Sequence, residues 1–116
     1  MHIFAIMNVE ELREYCLTLS EVEECLPFGP ETLVFKVKGK VFLLVGLDNV
    51  PLQFNAKCDP ERALELRMRH NCIIPGYHMN KKHWNTVIID RTLTNKQLRE
   101  LIDHSYELVT PKKKKK

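Results

Sequence analysis

The chain is poor in the residues that announce a particular chemistry. It has four glycines in 116 residues, all isolated, so it encodes no glycine-rich loop of the kind that cradles phosphate. Its four cysteines, Cys16, Cys25, Cys58 and Cys72, include no C-x-x-C pair. Scattered in this way they suit reduced thiols in a cytosolic protein and argue against a secreted disulfide framework or a regular zinc pattern. The longest apolar run, Val41 to Leu47, is strand length and too short to span a bilayer. The opening Met1-His2-Ile3-Phe4-Ala5-Ile6 has no basic start, no sufficient apolar core and no cleavage site, so it is not read as a signal peptide. A soluble, cytoplasmic protein with no membrane partner is expected. Residues 1–7 are read as an N-terminal extension, with Met7 a plausible second start, 8–110 as one domain, and 111–116 as a disordered lysine tail.

Positive charge is scarcer than the net +3 suggests, because Lys112 to Lys116 supply five of the basic groups and the rest of the chain sums to −2. Residues 1–31 hold seven acids and one base, whereas 32–111 hold twelve bases and eight acids. Opposed acidic and basic faces are expected, and any nucleic-acid reading depends on where the bases sit.

What the sequence does contain is clear local punctuation. Asn8-Val9-Glu10-Glu11 is a helix start with a capping box, and Val9, Leu12, Cys16 and Leu19 give that helix an apolar face. Glu24 to Pro30, with two prolines and a glycine, allows at most a short edge strand before a turn. Leu33–Val37 and Lys40–Val45 flank Lys38-Gly39, a two-residue hairpin in which Gly39 takes positive φ. Leu52, Phe54 and Ala56 alternate with Gln53, Asn55 and Lys57, as in a half-buried strand. Asp59-Pro60 starts a second helix running to about His70, with Ala63, Leu64 and Met68 or the stem of Arg67 on its inner face. A loop begins at Ile73-Ile74-Pro75. Trp84 to Asp90 is a further strand, and Thr94-Asn95-Lys96-Gln97 caps a last helix with Leu98, Leu101, Ile102, Ser105 and Leu108 inward. The order α-β-β-β-(β)-α-β-α predicts an α+β fold, an antiparallel sheet with helices packed on one face.

The chemical constellations are weaker. His70 and Cys72 with His78 and His83 fit no regular metal spacing, and Cys72 beside Ile73 and Ile74 reads as a small core residue rather than a nucleophile. No metal, no cofactor and no enzymatic activity are expected. Glu10, Glu11 and Glu14 read as a solvated helix start, or else as a cation- or partner-binding ridge. The basic groups are more suggestive: Lys36, Lys38 and Lys40 at the hairpin, with Arg67, Arg69, Lys81, Lys82 and His83, can meet phosphates while Tyr77 or Trp84 stacks. Alternating lysines also protect a sheet edge from aggregation, and a single Trp opening a strand is commonly a core anchor.

The Leu26-Pro27-Phe28-Gly29 turn, the Phe35–Phe42 hairpin, the Pro75-Gly76-Tyr77-x-x-Asn80-Lys81-x-His83-Trp84 loop and the closing Ser105-Tyr106-Glu107-Leu108-Val109 together resemble the MmcQ/YjbR-like family of small bacterial proteins. The resemblance covers nearly all of Asn8 to Val109. It implies a frataxin/CyaY-like sandwich and DNA binding through a double-wing arrangement, with Lys36, Lys38, Lys40, Lys81, Lys82, His83 and Trp84 as the contact residues. The expected function is weak nucleic-acid binding by a monomer. A protein-interaction or small-ligand module and, by analogy of fold, frataxin-like metal handling are the alternatives.

Overall fold

The computed structural model describes residues 7–76 and 79–110. Along the chain it has α1 (Val9–Thr18), β1 (Val22–Cys25), β2 (Thr32–Val37), β3 (Lys40–Gly46), β4 (Gln53–Lys57), α2 (Pro60–Arg69), β5 (Ile73–Pro75), β6 (Trp84–Ile88) and α3 (Asn95–Val109). The strands form one antiparallel sheet in the order β1-β2-β3-β4-β6-β5. The α+β class and the helices on one face agree with the sequence reading. β5 was not foreseen: it lies where the sequence suggests a loop, because its three residues gain strand geometry only by pairing with β6.

Each helix begins where its side chains can satisfy otherwise unpaired backbone N–H groups. The Asn8 Oδ1 accepts from the Glu11 N–H at 2.8 Å, and the Glu11 carboxylate accepts from the Asn8 N–H at 3.2 Å. Thr94 and Gln97 form the same reciprocal pair at 3.1 and 2.9 Å. At α2 the Asp59 carboxylate accepts from the Arg62 N–H at 3.2 Å, and Pro60, which has no N–H to satisfy, takes the first helical position.

β2 and β3 turn through Lys38 (φ 52°) and Gly39 (φ 81°), both left-handed, as a two-residue hairpin that matches strand twist requires. Phe35 pairs with Leu43 but Lys36 with Val41, so Phe42 is the extra residue of a β-bulge. The bulge is sealed from α3. The Ser105 hydroxyl, fully buried, donates to the Phe42 carbonyl at 2.5 Å and accepts from the Lys57 N–H at 2.9 Å. Phe42 itself packs edge-on against Tyr106, with ring centroids 5.5 Å apart.

Alternation then separates the two faces. Leu33, Phe35, Leu43, Val45, Phe54, Ala56, Val87 and Ile73 form one inward set, continuous with Leu12 and Cys16 of α1 and Leu98, Leu101 and Ile102 of α3. α2 joins this side through Asn85, whose side chain bonds both Ala63 and Arg67. Several expectations change. Met7, assigned to the extension, is 3% exposed and belongs to the core. Leu64 and Met68 point outward from α2, because Ala63 and Leu66 occupy its inner side. In α3, Val109 is buried and Leu108 is exposed. Trp84 is not a core anchor, since it stands half-buried on the face away from the helices. Among the described residues, no helix is long and apolar enough to cross a membrane.

Candidate functional site

The hairpin presents three of the expected contact residues. Lys36 is half-buried in β2, between Glu23 of β1 and Val41 of β3 in the register. Lys38 and Lys40 are exposed, and the Lys38 ammonium lies 3.5 Å from Glu21. On its β1 side the hairpin therefore meets acids. Glu24 is engaged by the Arg13 guanidinium through two contacts of 2.6 Å, which hold its carboxyl below the usual carboxylate range. On its other side the neighbouring strand, β4, ends at Lys57.

The loop before β6 is held from several directions. The Gly76 N–H donates to the Trp84 carbonyl at 3.0 Å, and a Cβ at Gly76 would lie 2.8 Å from the Trp84 Cβ, so this close approach requires glycine. The Asn80 carbonyl accepts from the N–H groups of His83 and Trp84, at 3.2 and 3.0 Å, while the Asn80 side chain accepts from the Lys82 N–H at 2.8 Å. The Cys58 N–H donates to the His83 carbonyl at 2.7 Å. Arg67 reaches across from α2, donating through Nε to Asn85 at 2.7 Å and through Nη2 to the Lys81 carbonyl. Arg67 is thus a fastening of the loop rather than a free phosphate ligand, while Lys81 and Lys82 are exposed above it and His83 is half-buried. Tyr77 and His78 lie outside the described residues.

Register brings hairpin and loop to the same end of the sheet. β2 ends there at Val37, β3 begins at Lys40, β4 ends at Lys57 and β6 begins at Trp84, which pairs with Lys57. The neighbouring helix-free face carries a groove of 560 Å³, lined among others by Phe28, Val41, Leu44, Gln53, Asn55 and Trp84. Its floor is fixed where the Thr86 hydroxyl donates to the Asn55 side chain. Phe28, Gln53, Asn55 and Lys57 were not singled out as site residues from sequence. The available signal was the run Gln53-x-Asn55-x-Lys57, whose polar side reads as a solvent face but lines this groove and its basic end.

The other candidates are not assembled into sites. His70 closes α2, its N–H donating to the Leu66 carbonyl at 2.9 Å. Among the described residues no group of three or more His, Cys, Asp or Glu side chains is placed to hold a metal ion. Glu10, Glu11 and Glu14 are exposed on α1, with Glu11 engaged in the cap. Burial pushes the Cys16 thiol up to about 12 and raises those of Cys58 and Cys72, which is the opposite of nucleophile activation. All four cysteines are free.

Comparison with known proteins gives a consistent result. A family model described as YjbR matches residues 17–108. The uncharacterized protein YbdF of Escherichia coli O157:H7 is 45% identical over 101 residues, covering 86% of this chain and 82% of that protein. The uncharacterized protein YjbR of Escherichia coli K12 is 33% identical over 102 residues, covering 87% and 86%. Among solved structures, a Deinococcus radiodurans protein with a DUF419 domain superposes with a TM-score of 0.87 at 45% identity, over 96% of this chain and 84% of that one. A Pseudomonas syringae protein superposes with a TM-score of 0.75 at 28% identity, over 88% and 98%.

Proposed function

This chain belongs to the YjbR family, and from that premise we propose that it is a binding module whose basic sheet end takes the phosphates of nucleic acid. The observation that carries the reading is the shared position of hairpin and loop: Lys36, Lys38, Lys40, Lys81 and Lys82 all stand at one end of the sheet. β2 and β6 are three strand spacings apart, roughly 14 Å, comparable to the width of about 12 Å of a DNA major groove. Two basic projections on that scale can meet phosphates on both sides of a groove or along one strand. Glu23 of β1, opposite Lys36, and Glu21 just before that strand, beside Lys38, offset part of this attraction, so the binding is weak and depends strongly on salt. No catalytic step is assigned. The chain acts as a monomer in this reading.

The test is a titration of a labelled DNA at increasing salt, with Lys112 to Lys116 deleted so that the terminal charges do not contribute. Each phosphate neutralised adds about −0.9 to the slope of log K against log salt on duplex DNA. Lys38→Ala, Lys81→Ala and Lys82→Ala should each reduce that slope by about 1. No detectable binding at low salt rejects the reading.

A further inference from the structure

The Leu26-Pro27-Phe28-Gly29 turn plays no part in phosphate binding at the basic end, yet it is built to display an aromatic ring. The turn is closed by the Gly29 N–H donating to the Leu26 carbonyl at 3.4 Å, and Gly29 has φ 113°, a conformation that favours glycine. Phe28 is left 71% exposed, at the end of the groove remote from Trp84. Between the two rings the groove offers Leu44 and the amide side chains of Gln53 and Asn55, and none of its described lining residues carries a carboxylate. Beyond its Trp84 end stand Lys40, Lys57, Lys81 and Lys82.

This arrangement is a neutral, aromatic and amide-bearing trough with a cationic rim at one end. Its complement is a ligand with flat uncharged rings attached to an anionic backbone. Aromatic side chains stack on bases of any identity, and Gln and Asn amides can pair with exposed base edges. In a duplex those rings are stacked inside the helix and cannot reach the sheet face. We propose that the groove seats the unpaired bases of a single-stranded nucleic acid while the adjoining lysines hold its phosphates. This inference rests on the phosphate-binding reading above and extends it from the rim to the helix-free face.

Trp84 is the only tryptophan in the chain, so its fluorescence reports on the groove directly. The experiment uses the full chain with a labelled oligothymidylate, an abasic strand of equal length, and thymidine monophosphate. Label anisotropy follows strand binding, and Trp84 emission follows groove occupancy. The expected result is quenching of Trp84 by oligothymidylate, with affinity at least about fivefold above that for the abasic strand, and loss of about fivefold on Phe28→Ala. Because Phe28 is exposed, that substitution leaves the core intact. Equal binding of base-bearing and abasic strands, or binding without quenching, overturns the groove assignment and leaves the phosphate reading to the salt titration without the terminal lysines. Saturation by thymidine monophosphate at the same concentration as the strand overturns the polymeric ligand in favour of a free nucleotide. Absence of binding by either strand overturns both readings.

Discussion

On the side of the sheet that carries the helices, Phe35, Leu43, Phe54 and Val87 are at most 1% exposed. One residue along the same strands, Leu44, Gln53 and Asn55 line a groove that none of the three helices covers. Backbone and register are shared, so the contrast arises from side chains alone. The covered face is an apolar set meeting α1 and α3, with Asn85 and Ser105 admitted only because each has hydrogen-bond partners. The bare face is not simply a wet one, since Val34 and Thr86 on it are fully buried. Around them it keeps amides, an exposed phenylalanine and a half-buried tryptophan. A face kept only for solubility has no use for an exposed phenyl ring and a half-buried indole, so the comparison assigns stability to the covered side and, on the reading proposed above, contact to the bare one.

That division can be broken by paired substitutions. Phe35→Ala should cost about 3–5 kcal/mol in a urea titration, from lost burial and the cavity left behind. Leu44→Ala, half-buried on the other face, should cost about 1 kcal/mol. Equal losses would mean that both faces are core. Next in size, Ser105→Ala should cost about 1–3 kcal/mol, because it strips the partner from two backbone groups at the Phe42 bulge. An unchanged midpoint would show that the bulge satisfies itself.

The smallest effect is one of pH. His104 Nε2 accepts the Asp59 N–H at 3.1 Å, so the fold uses the neutral imidazole. Burial and the nearby Arg62 hold its pKa below the ordinary value, against the opposing pull of Asp59 and Glu107. The unfolded chain therefore takes up this proton first as pH falls. The contribution to stability is complete above about pH 6.5 and is lost as pH drops below that value. Thermal melts at falling pH should show a declining midpoint, and His104→Gln should flatten part of the decline; an identical slope in the variant would assign it to other groups.

How much of this was legible from sequence follows from the range of the interactions. The three helix starts were readable because each cap joins residues three apart. The hairpin was readable because Lys38-Gly39 separates two β-rich runs. β5 was not, since Pro75 and a length of three residues give no alternation and its strand geometry depends on β6. Arg67 looked like a phosphate ligand because nothing local shows that it fastens Lys81 and Asn85, 14 and 18 residues away. Trp84 was misjudged for the same reason: which face a strand residue takes depends on the register with β4. The lysines named from sequence are at one end of the sheet, but the groove beside them needed four strands and three loops in place before it existed.

The hairpin tip carries one further consequence. A turn of this shape is most easily made by Asn-Gly, yet the first position is held by Lys38, a side chain that pays for the left-handed backbone with roughly 1 kcal/mol. Lys38→Asn should therefore give a protein that melts higher and, if the tip touches phosphate, one that binds less. On the phosphate-binding reading durability and affinity pull in opposite directions at this residue, and measuring both in one variant shows which of them the tip serves.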